Sequence, residues 1–173
     1  MFEARPVEHA SKAEFYRELL QQLGALLSDE RDPIANAANT SALLFEMMPD
    51  LNWAGFYFLR GGAELVLGPF QGKAACVRIP VGRGVCGTAV ERKHSILVED
   101  VHAFPGHIAC DAASRAELVV PLIHEGRVLG VLDLDSPVAG RFDLDDQAAM
   151  EKVVAIYLSM SALQDLPRGA APK

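Results

Sequence analysis

Apolar residues recur at helical spacing near the start of the chain. Phe15, Leu19, Leu20, Leu23 and Leu27 fall on one stripe, which predicts an amphipathic helix over about 9–27. A second helix is predicted from 33 to 47 or 48. Asp32 is a good N-cap residue, Pro33 suits the first helical position, and Pro49-Asp50 ends the run. From residue 52 the pattern changes to strands. Segments 52–60 and 64–67 flank Gly61-Gly62 and predict a hairpin. A third strand is expected at 74–80, a short helix at 84–93 and a further strand at 95–99. Residues 100–114, with Pro105 and Gly106, read as a long loop. Segments 116–124 and 127–135 surround the turn Glu125-Gly126 as a second hairpin. Asp143, with Asp146 three residues later, opens a long helix expected to reach about Leu166, and 167–173 read as a disordered tail.

Helices at both ends of about six strands predict an α+β domain with a mainly antiparallel sheet. The N- and C-terminal helices are expected on one face of that sheet, and loops and the short helix over a pocket on the other. The length of 173 residues suits one domain, placed over 1–166. The net charge of −7 and a pI near 5.2 argue against a general nucleic-acid binder. No apolar run approaches the ~18 residues of a membrane helix, and the first twenty residues hold no apolar signal core. A cytoplasmic protein with no membrane partner is expected. The 3 cysteines form no CxxC pair, which excludes a secreted disulfide scaffold.

Side-chain alternation places candidate chemistry on single faces. Trp53, Gly55 and Tyr57 share one face of their strand, with Gly55 read as a gap between aromatic walls. In the last strand, Val128, Gly130, Leu132 and Leu134 share one face, and Leu129, Val131, Asp133 and Asp135 the other. Paired carboxylates in a partly apolar setting raise at least one pKa, which suits a proton donor. The competing reading makes them strand-end acids that meet solvent or cap backbone groups. Glu117 falls near them if the hairpin pairs in register. Three acids could then hold a cation, most simply an ammonium group; otherwise Glu117 is a surface residue.

Cys76 falls in the third predicted strand, Cys86 at the start of the short helix and Cys110 in the long loop. A helix start lowers a thiol pKa and loop exposure makes a thiol reachable, although Cys86 could simply pack. His107, Cys110 and another cysteine match no common zinc spacing, so neither a metal nor a cofactor is expected. Gly82–Gly87 formally matches GxGxxG, but no second βαβ unit follows. The glycines read as a tight turn into a helix whose first amides could hold a small carboxylate.

Four segments together resemble one family: LNWAGFYFL at 51–59, LGPFQGKAACVRIPVGRGVCGTAV at 67–90, VEDVHAFPGHIACDAASRAELVVPL at 98–122 and GVLDLDSP at 130–137. Over about 10–163 the chain resembles the free methionine-(R)-sulfoxide reductases, small GAF-domain enzymes. The resemblance implies that Cys110 attacks the sulfoxide sulfur and that Cys76 resolves the sulfenic acid. It places Cys86 in or near the pocket, in a redox or pocket role. It implies Glu117, Asp133 and Asp135 as pocket acids, with Asp135 a candidate proton donor, and Trp53 and Tyr57 as the aromatic wall. The implied reaction reduces free L-methionine-(R)-sulfoxide through a thiol, a sulfenic acid and an intramolecular disulfide, with thioredoxin as the reductant. The alternative is a GAF sensory module that binds a small ligand without turnover; a ligand-free dimerisation module comes third. A homodimer is compatible with the sequence, which fixes no oligomeric state.

Overall fold

The computed structural model describes residues 11–106 and 112–166. Helix α1 (Lys12–Leu27) starts where Ser11 accepts a hydrogen bond from the Glu14 amide at 3.2 Å. Its apolar stripe places Leu19, Leu23 and Leu27 at full burial. Each such leucine contributes about 1.5–3 kcal/mol by leaving water. Helix α2 (Pro33–Met47) is capped by Asp32, whose carboxylate accepts from the Ile34 and Ala35 amides at 2.8 Å.

Strand β1 (Trp53–Arg60) turns at Gly61 and Gly62, both at positive φ, into β2 (Glu64–Gly72). The expected end of β2 at Leu67 is corrected: the strand continues through Gly68 and Pro69. The ladder shifts between Gly55, opposite Phe70, and Tyr57, opposite Leu67, so the proline occupies a bulge and no regular ladder position. Strand β3 is only Arg78–Pro80, so Cys76 precedes the strand that was expected to contain it. Helix α3 (Gly84–Arg92), β4 (Ile96–Val98), β5 (Ala116–His124) and β6 (Arg127–Ser136) follow. Helix α4 (Leu144–Met160) opens with the Asp143–Asp146 capping box. It stops at Met160, short of Leu166, because Ser161 is extended and a single 3-10 turn follows.

The six strands pair antiparallel in the order β3-β2-β1-β6-β5-β4. One face packs Phe56, Phe58, Leu118, Leu132 and Leu134 against α1, α2 and α4. The opposite face carries Trp53, Tyr57, Val119 and Val131 beneath Val85, Cys86 and Ala89 of α3. Strict alternation in β6 fails at one place. Leu122 opposes Gly130 and Ile123 opposes Val128, which leaves Leu129 as the extra residue. Leu129 therefore packs with the helices and Val128 with the α3 face, the reverse of the expected assignment. The terminal helices are tied together by Lys12, 2.7 Å from both Asp143 and Asp146, and by the Tyr16 hydroxyl, which donates to Asp146. Among the described residues no helix is long and apolar enough to cross a membrane.

Candidate active site

Cross-strand register builds the floor of the site. Asp135 lies between Glu117 of β5 and Trp53 of β1; one step on, Asp133 lies between Val119 and Gly55; then Val131 lies between Pro121 and Tyr57. All of these positions share the face beneath α3. The three acids therefore cluster near one end of the paired central strands β5 and β6. Glu117 and Asp133 are each only 6% exposed, which overturns the solvent-facing alternative for both. Asp135 is half-buried.

Helix α3 sets Cys86 onto this floor. Its Sγ lies 3.9 Å from Glu117 Oε1, and single donor atoms of Cys86, Glu117 and Asp133 all lie within 4.8 Å of one another. Burial pushes the Glu117 carboxyl well above the usual range, and the neighbouring Asp133 and Asp135 charges push it further. Burial raises Asp133 to about 7. Burial also holds Cys86 as a thiol, with the Asp133 and Glu117 charges adding to the effect. The expectation of a lowered pKa at the helix start is therefore corrected: desolvation and two carboxyl groups outweigh the helix end.

The aromatic residues do more than line a wall. The Trp53 ring stacks on Tyr57 at a 5.7 Å centroid distance and on Phe70 at 5.3 Å. Gly55 is not an open gap, as expected, because the Trp53 ring crosses it; a Cβ there would stand 2.6 Å from Trp53 Cη2. Trp53 Nε1 donates to the Lys73 carbonyl, and the Tyr57 hydroxyl donates to the Cys76 carbonyl, each at 3.1 Å. Both rings thus anchor the segment that carries Cys76. Cys76 is disulfide-bonded and Cys86 is a free thiol. Cys110 and His107 lie outside the described residues.

Three amides of the glycine-rich turn are already used. Gly82 donates to Gly87, Arg83 to Pro80, and Gly87 to Arg83. Gly84, Val85 and Cys86, in the first turn of α3, line the pocket, and Arg83 gives them no side-chain cap. Gly82 and Gly84 have φ of 79° and 59°, a backbone region that favours glycine. The empty space of the pocket, open mouth included, is about 540 Å³. Its lining includes Ser114, which the sequence reading missed. Ser114 is buried and accepts a hydrogen bond from Asn52 Nδ2 at 3.0 Å. No motif marks it; only the fold brings the end of the long loop beside the start of β1.

The GAF domain family matches residues 37–157. A curated relative, free methionine-R-sulfoxide reductase of Escherichia coli (strain K12), is 57% identical over 155 residues, covering 90% of this chain and 93% of the relative. The chain belongs to the free methionine-(R)-sulfoxide reductase family. The free methionine-R-sulfoxide reductase of Neisseria meningitidis, solved in complex with its substrate, is 44% identical with a TM-score of 0.88. That match covers 92% of this chain and 95% of the other. The reduced form of the Staphylococcus aureus protein is 48% identical with a TM-score of 0.81, over 84% of this chain and 94% of the other. In this member of the reductase family, the fold gathers Trp53, Tyr57, Cys86, Glu117, Asp133 and Asp135 into one pocket, with Lys73–Ala75 beside Cys76 on its wall.

Proposed function

We propose that this chain reduces free L-methionine-(R)-sulfoxide to methionine with its own thiols. The observation that carries the reading is the pocket itself: buried carboxyl groups, two of them with raised pKa, beside an aromatic wall, in a chain of the reductase family. The Cys110 thiolate attacks the sulfoxide sulfur, and a carboxyl group, with Asp135 the first candidate, protonates the oxygen to give a hydroxysulfurane. The hydroxyl passes from the methionine sulfur to the Cys110 sulfur as the transient S–S bond breaks, so methionine leaves and Cys110 is left as a sulfenic acid. The Cys76 thiol condenses with it, releasing water and forming a disulfide. Thioredoxin, as an external dithiol, returns both thiols by exchange.

Two features support this division of labour. Cys76 is disulfide-bonded, as a resolving cysteine becomes, and Cys86 keeps its thiol. Cys86 is also held protonated, which suits a pocket residue better than an attacking one. Glu117, Asp133 and Asp135 receive the α-ammonium group, the first-turn amides of α3 the α-carboxylate, and Trp53 the S-methyl group. A chemistry run on free thiols suits the reducing cytoplasm. Thioredoxin-coupled NADPH consumption with the free sulfoxide tests the reading. Steady turnover supports it; binding without turnover would favour a sensory module.

A further inference from the structure

We infer that the floor of this pocket is also a binding site for a zinc-class divalent cation, held by the Cys86 thiolate and the Glu117 and Asp133 carboxylates. The three side chains come from α3, β5 and β6, three separate elements that the fold fixes against one another. Their donor atoms already lie within 4.8 Å, with Cys86 Sγ and Glu117 Oε1 at 3.9 Å. Tetrahedral zinc ligands, at about 2.3 Å for sulfur and 2.0–2.2 Å for oxygen, stand roughly 3.3–3.6 Å apart. Small side-chain rotations close the remaining distance.

A second observation points to a ligand. Among the described residues Asp133 Oδ1, buried in this cluster, has no hydrogen-bond partner, although Asp133 is only 6% exposed. Buried polar atoms in native proteins are rarely left so, and an unexplained one marks a position for an ion or water. The donor set selects the cation. One thiolate with two carboxylates suits zinc, whereas magnesium and calcium take oxygen ligands. Binding exchanges the protons of these buried groups for a metal ion. Asp135 on the same floor and the pocket mouth leave a fourth position for a carboxylate or water. An ion there occupies the place given above to the substrate ammonium, so zinc should inhibit turnover in competition with substrate. That consequence rests on the reductase reading; the metal site does not.

Cobalt(II) tests the site directly, because a thiolate ligand gives it a near-ultraviolet charge-transfer band. The protein is used in its disulfide form, where Cys86 carries the free thiol. One equivalent of cobalt should produce the band, one equivalent of zinc should discharge it, and Cys86→Ala and Asp133→Asn should weaken cobalt binding at least tenfold. Absence of the band in the wild type at excess cobalt, or its persistence in Cys86→Ala, would overturn the inference. Should Cys86→Ala not fold, Cys86→Ser serves instead, and a band that persists in it overturns the site. Turnover is measured separately on metal-free protein. Failure there removes the reductase reading and leaves the metal site standing, and failure of the band does the reverse.

Discussion

Glu117 stands directly opposite Asp135 in the β5–β6 ladder, with the Cys86 thiol 3.9 Å above the Glu117 carboxylate. Like charges in that position are destabilising, and burial adds to the cost. Burial and the Asp133 and Asp135 charges raise the Glu117 pKa well above the usual range, so Glu117 holds its proton more tightly, which eases the repulsion. Replacing Glu117 or Asp135 by its amide should therefore leave the fold at least as stable while lowering turnover at least tenfold. The amide keeps the shape and loses the ionisable group, which donates a proton in its acid form and receives an ammonium group in its charged form. Turnover on the free sulfoxide and a urea melt of each variant check this. Wild-type rates in both variants would remove these acids from the mechanism.

Stability should depend on pH through Asp133. Its folded pKa, raised by burial to about 7, lies above the unfolded value near 3.9. The folded protein thus binds the proton more tightly, so this stabilisation is complete below about pH 4 and is lost as pH rises through 7. Asp143 acts in the opposite sense. Lys12 lowers it to about 2, so its contribution is present above pH 4 and lost as pH falls through 2. Urea midpoints should fall between pH 4 and 7, and Asp133→Asn should flatten that slope. An unchanged slope in the variant would contradict the assignment.

Tyr57→Phe separates wall from anchor. The ring remains stacked on Trp53, but the hydroxyl that holds the Cys76 carbonyl is gone. A lost hydrogen bond of about 0.5–1.5 kcal/mol corresponds to roughly 2- to 10-fold. Disulfide formation should slow by that factor while methionine release in the first turnover is unchanged. Rapid-quench thiol counting distinguishes the two steps. Equal slowing of both would make Tyr57 a substrate contact alone.

Gly55→Ala should disturb the same wall from below. The new Cβ would overlap Phe70 and meet the Trp53 ring. Overpacking of this kind costs about 1–3 kcal/mol. A lower urea midpoint and a raised KM are expected, since Trp53 is displaced from the pocket. Wild-type values for both would show that the ring gives way freely.

Much of this was legible in the residues. The caps at Asp32 and Asp143 are local chemistry, and alternation puts Trp53 with Tyr57 on one face of β1 and Asp133 with Asp135 on one face of β6; only the pairing of the strands joins these faces and adds Glu117. What failed depends on contacts distant in sequence. The second strand is expected to end at Leu67 but continues through Pro69, which sits in a bulge opposite β1. Leu129 reads by alternation as a pocket residue, and one extra position opposite Leu122–Ile123 turns it over. The raised pKa of Cys86 is set by burial and by the Asp133 and Glu117 charges, contacts distant in sequence, and not by its own helix. Ser114 enters the pocket through Asn52, 62 positions earlier.

The central claim is that free methionine-(R)-sulfoxide is reduced by this chain's own thiols. It is tested most directly by mixing fully reduced protein with excess free sulfoxide and no external reductant, then counting methionine and remaining thiols. The expected result is about one methionine per chain from the R epimer, little from the S epimer or an N-acetylated form, and the loss of two of the 3 thiols. Cys110→Ser should release none, and Cys76→Ser should release one and stall with a trappable sulfenic acid. No methionine from the reduced wild type, or the same yield from Cys110→Ser, would contradict the account.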